Sequence, residues 1–218
     1  MVGRFPQDVR LWTGATQGHE VIGLRREGIK FEALGYDLAL VAMRAKGFGV
    51  QLRRDIEDLA HFCNWGAAVR AQGRGRVRAG RRGSVSVRFS LTPQDIRRLR
   101  RGVAVLGEMM LAAGAEYVAP GIPGWPGRIS DPRELARIER EGPLDPKAYT
   151  MAVTHMFGTC RLGSDAASSV VRPDFRHHRV AGLYVTDSSV FPTNTGVNPQ
   201  TSIIALASIG GRRILSAS

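Results

Sequence analysis

An α+β fold is predicted, built on a mostly antiparallel sheet with packed helices, and three observations predict it. The hydrophobic period changes to two between Val69 and Ser90, where apolar and polar residues alternate around Gly/Arg turns. Directly after that stretch, Thr92 opens a segment with a full helix start and a long apolar stripe. Near the C-terminus, two short apolar runs end at His155 and Asp187, and an Asn198-Pro199 step then opens a last helix.

In chain order, residues 1–30 read as irregular, punctuated by Gly14, Gly18, Gly23 and Gly28. Phe31, Leu34, Leu38 and Val41 recur at three- and four-residue steps, as do Ile56, Leu59 and Phe62/Cys63, and both sets read as helical patches broken at Gly47 and Gly49. The alternating stretch up to Ser90 reads as a hairpin or meander with Val85, Val87 and Phe89 on one face. In the next helix Thr92 is the expected N-cap, Pro93 the first helical position and Asp95 the third residue of a capping box. Ile96, Leu99, Val103, Leu106 and Met110 form its apolar stripe, expected to pack on the preceding sheet, and Gly114 ends it. A Pro/Gly-rich loop spans 119–130, and Asp131-Pro132 caps a short charged helix to about Glu141. An apolar stretch from Ala148 then reads as a strand delivering His155, with a boundary between two structural units near residue 147.

Composition narrows the function classes. A hydrophobic content of 43% suits a globular core rather than a disordered chain. No apolar run reaches the ~20 residues a bilayer span requires, and the start has no signal-peptide pattern, so a cytoplasmic location is expected. The net charge of +12 raises the question of nucleic acid. Yet the arginines are spread from Arg4 to Arg213, and the 15 aromatics do not interleave with them as a stacking platform would need. The dense run Arg97, Arg98, Arg100 and Arg101 is expected mostly opposite the apolar face of its helix, as solvated surface. No nucleic-acid partner is expected. Cys63 and Cys160 lack metal-ligand spacing, so two free thiols and no metal site are expected.

The residues that carry chemistry are few. A lone histidine after an apolar run is more often structural than catalytic, but Gly158 and Gly163 set His155 beside a tight turn. Asp187, followed by Ser188 and Ser189, fits either a turn cap or a contact to a cofactor's polar chain. Asn198 fits either a helix N-cap or a group presented, with the helix dipole, to a bound ligand. His177 and His178 lie in a polar loop and are expected in solvent.

The strings HMFGTCRLG, SSVV, GLYVTDSSVFPTNTGVNPQTSIIALA and GGRRIL resemble the C-terminal signature of the glucose–methanol–choline (GMC) flavoprotein oxidoreductases. They are most similar to the branch of cholesterol oxidases and long-chain alcohol oxidases. VRFSLTPQDIRRLRRGVAVLGEMMLAAGAEYV resembles the long helix of that family's substrate-binding region. The resemblance implies a substrate-binding domain over 1–147 and the C-terminal segment of an FAD-binding α/β domain over 148–218. It implies that His155 is the active-site histidine, with Asn198 as its partner. Asp187 and Ser188 would contact the ribityl–pyrophosphate part of FAD, and Pro199, Gln200 and Thr201 would lie near the flavin's pyrimidine edge. The substrate implied is an alcohol, with a sterol or long-chain alcohol favoured by the apolar residues around 31–63.

One departure stands out. Relatives hold the ADP half of FAD on a βαβ unit bearing G-x-G-x-x-G, and the glycines of GRGRVRAG lack the helix that motif needs. The missing N-terminal portion is therefore expected in cis or in trans, and no turnover is expected from these 218 residues alone. Two other readings stay open: a basic nucleic-acid-binding module on the Arg/Gly-rich region, and a non-catalytic remnant of the oxidoreductase.

Overall fold

A computed structural model describes residues 1–10, 12, 13, 18–35 and 48–216. They form two compact units: Met1–Gly73 with Leu91–Met151, and Arg74–Ser90 with Ala152–Ser218. The described strands are β1 (Val2–Arg4), β2 (Glu20–Val21), β3 (Ile29–Ala33), β4 (Phe62–Val69), β5 (Arg74–Ala79), β6 (Val85–Ser90) and β7 (Tyr117–Ala119). The described α-helices are α1 (Val50–Glu57), α2 (Pro93–Ala112), α3 (Pro132–Glu141) and α4 (Gln200–Leu215). The α+β class with antiparallel strands holds.

The first unit is a five-stranded antiparallel sheet in the order β2-β3-β4-β1-β7. Here the sequence misleads at three places. Phe31 lies in strand β3 rather than a helix, and α1 stops at Glu57, before Phe62 and Cys63 enter β4. Residues 1–30, read as irregular, contain β1, β2 and the start of β3. The cause is physical: short apolar runs satisfy helical and strand spacing equally, and the pairing of β4 with β1 and β3 decides between them from far along the chain. Leu38 and Val41 lie outside the described residues. On β2 and β3, Glu20 and Glu32 stand directly opposite, a like-charge pair that the buried Lys30 ammonium bridges from the same face.

Helix α2 forms as its sequence dictates. The Thr92 hydroxyl accepts from Asp95 N–H, and the Asp95 carboxylate accepts from Thr92 N–H, closing the capping box. Ile96, Leu106 and Met110 are buried among Ile29, Phe31, Val118, Leu135 and Ile138. The stripe thus packs on β3, β7 and α3, and the sheet it covers is the five-stranded one, not the 74–90 hairpin. Close approach needs glycine at one point: a Cβ on Gly107 would lie 2.7 Å from Leu135 Cδ2. The arginine run is not one solvated face either. Arg100 is buried, its Nε donating to the Ile138 carbonyl at 3.2 Å, and Arg101 pairs with Glu27 and Glu139.

The second unit holds the β5–β6 hairpin and the C-terminal segment, whose core is Val171, Phe175 and Val190. The strands expected to end at His155 and Asp187 do not form; isolated bridges such as Val171↔His177 and Arg176↔Tyr184 replace regular pairing. Side-chain turns win over strands here. Asp165, Asp174 and Asp187 each accept from the backbone N–H two residues on. His177 and His178 serve the same loop rather than solvent. His177 Nδ1 accepts from the N–H groups of Arg179 and Val180, and His178 Nε2 donates to the Gly163 carbonyl at 3.1 Å.

Candidate functional site

The site is built from three pieces of the second unit. The first is the chain through His155, which lies in no regular element and is exposed. Its φ of +54° is a left-handed conformation that costs a residue with a Cβ about 1–2 kcal/mol. The chain that follows, residues 157–162, is held by several contacts. The Phe157 ring packs on Phe191 at 5.2 Å, and the N–H groups of Gly158 and Cys160 both donate to the Ser189 carbonyl at 3.1 Å. Leu162 N–H donates to the Val190 carbonyl, so 158–162 runs alongside 189–190. Gly158 has φ +84°, and a Cβ there would meet the carbonyl oxygens of Phe191 and Pro192.

The second piece is the 3-10 turn Ser188–Val190, capped by Asp187, whose carboxylate accepts from Ser189 N–H at 2.7 Å. Asp187 itself is exposed. Ser189 is the residue sequence reasoning missed: its hydroxyl oxygen is sealed from solvent and has no hydrogen-bond partner among the described residues. A buried hydroxyl left unpaired costs roughly 1–3 kcal/mol. Two adjacent serines gave no local signal as to which one the turn would bury.

The third piece is the start of α4. Pro199 is its N-cap, one residue later than the sequence implied, and Asn198 precedes the cap. No side chain caps this end, and the first ladder bond runs from Ile203 N–H to the Pro199 carbonyl. The N–H groups of Gln200, Thr201 and Ser202 precede that ladder, at the positive end of a 16-residue helix. Gly210 sets the helix against the turn, because a Cβ there would lie 2.4 Å from Thr186 Cγ2 and 3.4 Å from Phe175 Cγ.

His155, Pro199, Gln200, Ile203 and Ile204 line one cavity of about 240 Å³. The structure therefore brings together His155, Pro199 and Gln200 from the sequence-predicted set. Asn198, Thr201, Asp187 and Ser188 are not among its lining residues. Ile203 and Ile204 are additions that helix periodicity could have found, being three and four residues after Gln200 and so on its face. Among the described residues no group of three or more His, Cys, Asp or Glu could hold a metal ion, and no helix is long and apolar enough to cross a membrane.

Residues 71–207, well over half of the chain, match the C-terminal sequence model of the family described as GMC oxidoreductase. The chain belongs to the GMC oxidoreductase family. It is 34% identical over 208 residues to an uncharacterized GMC-type oxidoreductase of Mycobacterium tuberculosis, covering 95% of this chain and 32% of that protein. It is 33% identical over 127 residues to a long-chain-alcohol oxidase of Arabidopsis thaliana, covering 55% of this chain and 17% of the oxidase. Among solved structures, pyridoxine 4-oxidase from Mesorbium loti superposes with a TM-score of 0.57 at 18% identity, over 85% of this chain and 34% of that one, a likeness of fold. The chain spans about a third of the length of the mycobacterial GMC relative.

Proposed function

We propose that this chain is the C-terminal catalytic portion of an FAD-dependent GMC oxidoreductase that oxidises a CH–OH group, with His155 and Asn198 at the substrate hydroxyl. The observation that carries the reading is the shared cavity: His155 faces the same ~240 Å³ space as the uncapped start of α4. In this reading residues 1–147 form the substrate-binding region and 148–218 complete the FAD-binding domain.

The residues present fit the cofactor. The solvent-sealed Ser189 hydroxyl lacks a partner, and a ligand oxygen or hydroxyl would supply one. Beside it, Asp187 and Ser188 are suited to the hydroxyls of the ribityl–pyrophosphate chain. The free N–H groups at the start of α4, on Gln200 and Thr201, suit an electron-rich ring edge, to which Pro199 contributes packing but no donor. The chemistry that bound FAD supplies is acceptance of the hydride from the carbinol carbon.

The protein's own residues do the rest. Alcohol oxidation requires that the hydroxyl proton leave as the hydride departs. A neutral imidazole nitrogen on His155 can accept that proton. The Asn198 amide can donate to the alkoxide-like oxygen without itself titrating. Ile203 and Ile204 give the cavity an apolar wall, which with the long-chain-alcohol oxidase relative supports a hydrophobic alcohol, a sterol or long-chain alcohol, as substrate. The dinucleotide-binding portion that relatives carry would be supplied in cis or in trans.

The test is anaerobic reduction of the assembled, FAD-loaded protein by a long-chain primary alcohol, followed as flavin bleaching. His155→Ala is expected to slow bleaching by about 10²–10⁴-fold with FAD still bound. An unchanged rate removes His155 from the chemistry.

A further inference from the structure

The register of β5 and β6 sorts their side chains onto two unlike faces. Val77↔Val87, Ala79↔Val85 and Gly75↔Phe89 share one face; Arg76↔Arg88, Arg74↔Ser90 and Arg78↔Ser86 share the other. Phe89 leans across Gly75, with its Cδ2 3.1 Å from where a Cβ would stand. The rest of the apolar face is open, with Val77, Val85 and Val87 47%, 66% and 54% exposed. A two-stranded hairpin is marginal in water unless one face is packed. The question is which face.

The charges answer it. Arg76 and Arg88 stand directly opposite, a like-charge pair tolerable where water and salt screen it. Arg74, Arg76, Arg78 and Arg88 make no ion pair among the described residues. Alternation of this kind reads as arginine side wet, valine side covered. A nucleic acid or an anionic membrane would engage the arginine face and leave the valines in water, so neither accounts for the apolar side.

We propose that the valine face of this hairpin is the docking surface for the dinucleotide-binding portion of the protein, the part that GMC relatives carry outside the third this chain spans. The proposal rests on the reading above that such a portion completes the enzyme. Its docking patch is apolar and free of basic residues, and carboxylates at its rim face Arg81 and Arg82, which stand exposed at the hairpin tip. About two thirds of the mycobacterial relative lies outside the matched region, so the occupant is a large folded body rather than a short peptide.

The probe is the segment of the Mycobacterium tuberculosis relative that lies outside its matched 208 residues, produced together with the 218-residue chain in the presence of FAD so that the FAD-binding domain is completed, and the pair is read by sedimentation and by calorimetric dilution. The wild-type chain is expected to form a one-to-one complex. The Val77→Asp/Val87→Asp pair is expected to weaken it by at least about 100-fold. The Val77→Thr/Val87→Thr pair keeps β-branched shape and strand propensity, so the hairpin stays folded, and about a 10-fold loss is expected. Arg76→Gln/Arg88→Gln is expected to bind within about 3-fold of wild type. No wild-type complex, valine variants that bind like wild type, or loss confined to the arginine variant overturns the proposal. So does a wild-type homodimer that the valine variants dissociate, which would make a second copy the occupant, or valine-dependent binding to vesicles of phosphatidylserine. The two readings fail separately. If a valine-dependent complex forms but no alcohol bleaches its FAD, the oxidoreductase reading falls and the docking stands. If alcohol bleaches FAD equally with the valine variants, the docking falls and the chemistry stands.

Discussion

Removing the Asp95 carboxylate is expected to destabilise the first unit by about 3 kcal/mol at neutral pH. Asp95 is 1% exposed, and its two oxygens accept from three backbone N–H groups: Gln72 at 2.8 Å, Gly73 at 2.9 Å and Thr92 at 2.9 Å. The capping half of this arrangement contributes about 1 kcal/mol. The bonds to Gln72 and Gly73 are charge-assisted, each about 1.5 kcal/mol at the low end of their range, because Gln72 is exposed and water can replace part of what is lost. Those contributions are not fully additive, which brings the expected cost of Asp95→Ala to about 3 kcal/mol. Burial is the largest single influence on the carboxyl and opposes ionisation, but the bonds from Gln72, Thr92 and Gly73 together outweigh it and hold the group below the usual carboxylate range. That depression sets the sign of the pH dependence. The stabilisation is fully present above the unfolded value of about 4 and is lost as pH falls through the folded one. Urea unfolding of wild type and Asp95→Ala at pH 7 and at successive steps below pH 4 measures both effects. The gap between them is expected to close as the pH falls. A difference under about 1 kcal/mol at pH 7, or a gap that stays constant into strong acid, refutes the reasoning.

The other predictions concern the second unit. Gly210→Val drives two extra methyl groups toward Thr186 and Phe175, and is expected to cost about 1–3 kcal/mol beyond any gain in helix propensity; a thermal melt of Gly210→Val with and without Thr186→Ser shows whether Thr186 is the obstacle. His155→Gly and His155→Ala are both expected to slow alcohol-driven flavin bleaching to the same extent, but the glycine variant is expected to be about 1 kcal/mol the more stable by urea unfolding, since φ +54° strains alanine and not glycine. Asn198→Ala is expected to slow flavin reduction at least 10-fold while changing cofactor retention little, by rapid-mixing absorbance and by equilibrium dialysis. The reverse order would make Asn198 a structural residue ahead of the Pro199 cap.

What the sequence made legible was whatever local chemistry decides. The capping box at Thr92 and Asp95, the Asp131 cap, the stop near Gly114 and the existence of α4 all rest on neighbours within a few residues, and all formed. Phe31 and Phe62 were misassigned because their state is set by partners on other strands, Ala67 for one and Arg4 for the other. The strands expected before His155 and Asp187 were misread for a different reason: an apolar run is necessary for a strand but not sufficient when aspartates at 145, 165, 174 and 187 offer the backbone local turns. In the site, His155 and the start of α4 were legible from residue type and the Asn-Pro step. Ser189 was not, since burial of one hydroxyl out of two adjacent serines is a property of the folded turn alone.

The size of the cavity bears on how much of the site this chain can supply. At about 240 Å³ it falls below the roughly 300–1,000 Å³ typical of small-molecule and cofactor pockets. Ile204 on its wall is 59% exposed, and Met156 beside His155 is 52% exposed. Hydrogen-bond donors and a proton acceptor act strongly on a reacting alcohol where water is excluded, and these apolar side chains exclude it only when something packs against them. The backbone just after His155 is held by the Phe157–Phe191 contact and the bonds to the Ser189 carbonyl, and helix α4 is set by Gly210 against Thr186. In the proposed reading, this chain supplies the proton acceptor and the donors of the helix start, and the walls that would exclude water from them come from the remaining portion.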